Sequence, residues 1–115
     1  MSAQERALRR ISAVRGIRGA MLVSVPDGLV VAEALMEGLD GRAVAALAAS
    51  LAGRLRRATA SAGLGAPAVV HLRGETGTLL AVPVGAELLV VAVGDRGANL
   101  GLARLELLDA ARGMV

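Results

Sequence analysis

Hydrophobic positions along the chain change period several times, and each change marks a predicted element. Ser2-Ala3-Gln4-Glu5 has the S-x-x-E form in which a serine caps a helix and the glutamate reaches back to it. Behind it Ala7, Leu8, Ile11 and Val14 recur at helical spacing, with Arg6, Arg9, Arg10 and Ala13 on another side, until Gly16 breaks the pattern. Two β-rich runs follow, residues 19–25 and 29–34, and Pro26-Asp27-Gly28 between them suits a tight turn, so this stretch is predicted to be a hairpin. A polar, glycine-bearing stretch ends at Asp40, a cap for a long alanine-rich helix over residues 42–62. Past Gly63-Leu64-Gly65-Ala66-Pro67 come three short runs, 68–73, 78–84 and 87–93, that predict a meander. The last two are almost continuously apolar, the pattern of strands covered on both faces. Asn99 then caps a third helix running to about Arg112.

The order is α-β-β-α-β-β-β-α, with no internal repeat and no linker, which predicts one domain over residues 1–115. A five-stranded antiparallel sheet with helices on both faces, an α+β sandwich, accommodates every segment.

The second helix is apolar on two sides. Val44, Leu47, Ala48, Leu51, Leu55 and Ala58 form the larger stripe, expected to lie on the sheet. The other side carries Arg42, Ala45, Ala46, Ala49, Gly53, Arg56, Arg57 and Ala60. A glycine inside a helix costs about 1 kcal/mol relative to alanine, and small residues at 45, 49 and 53 would let a second helix come close. That side is therefore expected to be a helix–helix contact across a dimer axis, with Ala45, Ala46, Ala49, Gly53 and Ala60 in it.

Composition strengthens the case for pairing. The 115 residues are 55% hydrophobic yet include no Phe, Tyr, Trp or Cys, so Leu, Val, Ala, Ile and Met must fill the core. Aromatic side chains usually dominate burial, and a chain without them gains more than most from covering a face with a second copy. Absent cysteine removes disulfides, thiolate zinc sites and cysteine nucleophiles, and fits the cytoplasm. The charged N-terminal residues do not form a signal peptide, and no apolar run spans a bilayer, so no membrane insertion is expected. All thirteen basic residues are arginine, but the net charge is only +3.

Few side chains could carry chemistry. His71 is the only histidine; it cannot build a metal site alone, and in a strand it is expected to be packed or solvated. Its run is the proposed sheet edge, and an apolar edge must be paired or covered to escape aggregation; Val69, His71 and Arg73 are therefore expected at the dimer interface. Neither metal nor cofactor is expected. Gly63-Leu64-Gly65 and Gly94-Asp95-Arg96-Gly97 match no P-loop, and the chain has no lysine to complete one. Modest charge and the lack of stacking aromatics speak against nucleic acid, and the acids sit mostly in turns and helix ends rather than as a converging pair. Arginines cluster at Arg6, Arg9, Arg10 and at Arg54, Arg56, Arg57. Such side chains can meet phosphates or stabilise phosphoryl-transfer charge, although most such clusters are simply solvated.

Three stretches, 16–24 running into Asp27-Gly28-Leu29-Val30-Val31-Ala32, then Leu79-Leu80-Ala81-Val82-Pro83-Val84-Gly85 with Leu88-Leu89-Val90-Val91, then Asn99-Leu100-Gly101-Leu102-Ala103-Arg104, resemble the Roadblock/LC7 family in order and spacing. The resemblance implies a profilin- or longin-like fold and a dimer in which the third strand pairs with its mate and the second helices lie side by side. It also implies a small Ras-like GTPase as partner, as for bacterial and archaeal members; the alternative is a structural adaptor like the dynein-associated relatives. The expectation is a non-catalytic homodimer whose paired second helices present Arg42, Arg54, Arg56 and Arg57 to the partner.

Overall fold

A computed structural model describes residues 1–114. Each predicted helix cap is in place. Ser2 Oγ accepts from the Glu5 N–H at 3.1 Å and starts α1 (Ala3–Ser12). Asp40 Oδ1 accepts from the Ala43 N–H at 3.1 Å ahead of α2 (Gly41–Ser61). Asn99 Oδ1 accepts from the Leu102 N–H at 3.1 Å at the head of α3 (Leu100–Gly113). Each bond satisfies one of the amides that a helix start leaves without an internal partner.

The strands are β1 (Ile17–Ser24), β2 (Val30–Leu35), β3 (Val70–Arg73), β4 (Thr78–Val84) and β5 (Leu88–Gly94). They form one antiparallel sheet in the order β2-β1-β5-β4-β3. Its centre is the pairing of β1 with β5, which joins the first hairpin to the meander and leaves β2 and β3 at the edges. β3 is shorter than the run expected at 68–73.

Register sorts the side chains into two layers. Leu22, Val90 and Val82 stand in one cross-strand row, and Met21, Val91 and Ala81 stand in the neighbouring row on the opposite face. The first face packs under α1 and α3, where Leu8, Ile11, Ala103 and Leu107 meet Ala20, Leu22, Leu80, Val82, Val90 and Ala92. The second face packs under α2, where Met21, Val23, Leu79, Leu89 and Val91 meet Ala45, Ala48, Ala49 and Ala52. With both faces covered, the central strands have no polar side, as their composition predicted.

The orientation of α2 corrects the expectation. Ala45 and Ala49, expected on an exposed helix–helix face, are buried against the chain's own sheet, together with Ala48 and Ala52. Of the stripe expected on the sheet, Leu47 is 48% exposed and Ala58 is exposed, while Val44, Leu51 and Leu55 are only half-buried. The reason lies in complementary size. This face of the sheet already carries Met21, Val23, Leu89 and Val91, so an alanine row lets the helix axis settle close on it, whereas a leucine row would hold it away. Gly53, Ala46 and Ala60 lie on the flank of α2 opposite the leucines. A Cβ added at Gly53 would meet only the Arg57 guanidinium at 3.8 Å, so no close helix contact within the chain explains this glycine.

Among the glycines held at positive φ, Gly16 is also hemmed in by its neighbours. Gly16, between α1 and β1, has φ +84°, and a Cβ there would stand 2.4 Å from the Ala98 Cα. The close approach is locked by the Asp95 N–H donating to the Gly16 carbonyl and the Asn99 N–H donating to the Arg15 carbonyl, both at 2.9 Å. This junction fixes the start of α3 against the end of α1.

Candidate interaction surface

β3 is a sheet edge with a usable backbone. The Gly74 N–H donates to the Gly77 carbonyl at 2.8 Å at the hairpin. In an antiparallel pair bonded and non-bonded positions alternate, so counting back from this bond turns the amides and carbonyls of His71 and Arg73 away from β4. These groups form an open edge of the kind that another strand can complete.

The His71 side chain is exposed and has a structural task. Its Nε2 lies 3.0 Å from Thr78 Oγ1, and the Thr78 hydroxyl donates to the Leu72 carbonyl at 3.1 Å. A hydroxyl has one hydrogen to give, so His71 donates through Nε2–H and Thr78 accepts. The contact ties the edge strand to β4 beside Thr78, a buried polar residue. Val69 precedes the strand and packs, half-buried, against the α1/α3 layer, while Arg73 is exposed at the strand's end.

On the α2 face an apolar surface continues from this edge. Leu72 pairs with Leu79, projects to the same face, and is 39% exposed. Leu79 and Val70 belong to the cluster against which Val44, Leu51 and Leu55 of α2 pack, and Leu47 extends the row outward. Half-covered leucines of α2 and the edge strand, through Val70, thus border the same apolar cluster. The leucines were legible as a stripe, but their position at an outer surface was missed; the surplus of apolar residues around α2 was the available signal.

The four arginines expected to meet a partner do not form one cluster. Arg42 begins α2, and Arg54 and Arg57 stand exposed near its end, about 18 Å and 22 Å further along at the helical rise. Arg56 is turned toward the sheet, with Nη2 donating to the Ala86 carbonyl in the β4–β5 turn at 3.3 Å. It borders an apolar cleft of about 250 Å³ lined with Ala52, Pro67, Val70, Pro83 and Leu89. Neither a carboxylate nor His71 lines that cleft. Among the described residues no cluster of three His, Cys, Asp or Glu could hold a metal ion, and no helix is long and apolar enough to cross a membrane.

An α-β-β-α-β-β-β-α sandwich with an open third strand and an apolar flank on its second helix belongs to the class of small domains built around a single antiparallel sheet. The Roadblock/LC7 domain model matches residues 3–93, and the chain belongs to that family. It is 36% identical over 107 residues to the uncharacterized protein MJ0310 of Methanocaldococcus jannaschii, covering 93% of this chain and 92% of the relative. Among solved structures, Myxococcus xanthus MglB superposes with a TM-score of 0.85 at 19% identity, over 97% of this chain and 91% of that one. An MglB structure described as having a tetrameric arrangement gives 0.84 at 24% identity, over 99% and 89%. At these identities the likeness establishes the fold.

Proposed function

We propose that the chain works as one non-catalytic regulatory domain in the cytoplasm, forming a homodimer that docks a small Ras-like GTPase on its paired second helices. The observation carrying this reading is that the half-covered leucines of α2 and the open edge strand β3 border one apolar cluster. A strand pairing with its own copy across a two-fold axis would satisfy the outward groups of His71 and Arg73 in both copies. The same axis would bring the two α2 helices together through Leu47, Leu51 and Leu55, covering apolar surface that one chain leaves in water. Family membership supports this arrangement, and the tetrameric MglB shows that a protein of this fold self-associates.

Antiparallel crossing near Leu47 and Leu51 also accounts for the spread of the arginines. It places Arg42 of one copy near Arg54 and Arg57 of the other, so each end of the helix pair gathers positive charge from both chains. Such ends suit an acidic rim on a partner and speed its capture. The GTPase is the partner that family membership and the MglB fold favour. The test is to mix the purified protein with a Ras-like GTPase from the same organism and measure complex formation and GTP turnover in both nucleotide states. Binding with unchanged turnover identifies a sensor or scaffold, and faster turnover an activator. Absence of binding in either state overturns the GTPase assignment and leaves a structural adaptor.

A further inference from the structure

The layer opposite α2 has a separate character. On α1, Arg6 and Arg9 project away from the sheet, and together with Arg10, Met1 and Ala3 they line one shallow hollow. Arg10 also faces α3, where it and Arg112 flank a groove floored by Ala7, Ala110 and Met114. Of the nearby acids, Glu5 and Glu33 share a hollow with Arg9 at the β2 edge. Glu5 accepts from Ser2 Oγ at 3.2 Å, and Asp109 pairs with Arg112 at 3.8 Å; Glu106 is half-buried on the flank of α3. Arg6 donates through Nη1 to the Met1 carbonyl at 2.7 Å, and Arg6, Arg9 and Arg10 belong to no ion pair among the described residues. Beside them the outer side of α3 exposes Leu105 at 64% and Leu102 at 44%, and Met1 is 64% exposed.

We infer that the α1/α3 face docks on an anionic lipid surface, arginines on headgroup phosphates and Leu102, Leu105 and Met1 in the headgroup–acyl boundary. Guanidinium groups with long apolar stems beside bare leucines are the chemistry of an interfacial helix layer. Charge selects the occupant: the face spreads Arg6, Arg9, Arg10 and Arg112 over two shallow, open hollows instead of gathering them in one enclosed pocket. The dimer proposed above strengthens the arrangement without being required for it. A two-fold axis normal to the sheet puts both α2 helices on one side and all four α1 and α3 helices on the other. Two basic faces would then lie on one surface while the GTPase side points away, so the protein would present its partner at a membrane.

The test is co-sedimentation of the purified full chain with vesicles of phosphatidylcholine alone and with phosphatidylglycerol added. Binding is expected only with the anionic lipid and should fall as salt is raised. Replacing Arg6, Arg9 and Arg10 with alanine should weaken it about 100-fold, at roughly fivefold per arginine. Leu105→Glu should weaken it severalfold, whereas Arg54→Glu with Arg57→Glu, on the other side of the sheet, should leave it unchanged. Circular dichroism and light scattering confirm that each variant keeps its fold and its assembly state. Equal sedimentation with neutral vesicles, no sedimentation at all, or equal loss in the α2 variant overturns the inference. GTPase binding is measured separately, so either reading can fail without the other.

Discussion

Leu47→Glu separates the account of self-pairing from any account of folding. Leu47 is 48% exposed in the single chain, so a glutamate there can keep its carboxylate in water, and the folded monomer should lose no more than about 0.5 kcal/mol, the usual range for surface substitutions. In the proposed dimer the exposed half of the leucine would be covered. Full burial of a leucine is worth roughly 1.5–3 kcal/mol, so the remaining half contributes about 1 kcal/mol per copy and about 2 kcal/mol per symmetric dimer. Two carboxylates meeting near a two-fold axis add repulsion and desolvation on top of that loss. The dissociation constant should therefore rise by at least about 30-fold, while the thermal midpoint extrapolated to low protein concentration barely moves. Sedimentation velocity over a concentration series reads the first quantity and circular dichroism the second. Gly53→Glu is the matched control: the site is two residues from both Leu51 and Leu55, hence on the opposite side of α2, and it opens onto space bounded only by Arg57. A Leu47→Glu protein that dimerises as before, beside a Gly53→Glu protein that falls to monomer, would refute the assignment of the face.

Further substitutions probe other links in the chain of reasoning. Gly16→Ala forces a side chain into a left-handed backbone and onto the Ala98 Cα; it should cost at least about 1–2 kcal/mol from the backbone alone, read as a lower urea midpoint with an unchanged slope. Asp40→Ala removes the α2 cap and should cost about 1 kcal/mol in the same assay. His71→Ala deletes the bond to Thr78 and should cost about 1 kcal/mol, with GTP turnover by a bound GTPase unaltered, as a purely structural role for His71 requires. Arg54→Glu combined with Arg57→Glu should slow GTPase association and flatten its salt dependence without changing the mass of the dimer, a pattern that stopped-flow binding and light scattering would distinguish.

Much of this molecule could be read from local chemistry. Ser2, Asp40 and Asn99 each stood at the residue where a helix begins, because a cap is a relation between neighbours. Pro26-Asp27-Gly28 marked the first hairpin for the same reason, and the unbroken apolar runs of β4 and β5 implied layers on both sides of the sheet. The sheet order rests on the pairing of β1 with β5, some seventy positions away, and neither strand carries a local sign of its partner. The face of α2 was misjudged because the helix has two apolar rows. Which row turns inward depends on whether the opposing sheet surface is large or small, and that surface is assembled by Met21, Val23, Leu89 and Val91 from separate strands. The turn of Arg56 toward Ala86 has the same origin: it arises from a tertiary contact that the spacing of the arginines does not encode. Composition and the second helix carried the expectation of pairing and family likeness that of a GTPase, while the structure relocated the helix surface on which pairing would occur.

Native mass spectrometry of the chain mixed with a Ras-like GTPase from the same organism tests the proposed function, since it counts both partners in one species. The expected species contains two copies of this chain with GTPase bound, reduced to free components when Leu47 is replaced by glutamate. A GTPase complex holding a single copy of the chain, or a dimer that never takes up GTPase in either nucleotide state, would contradict the proposal.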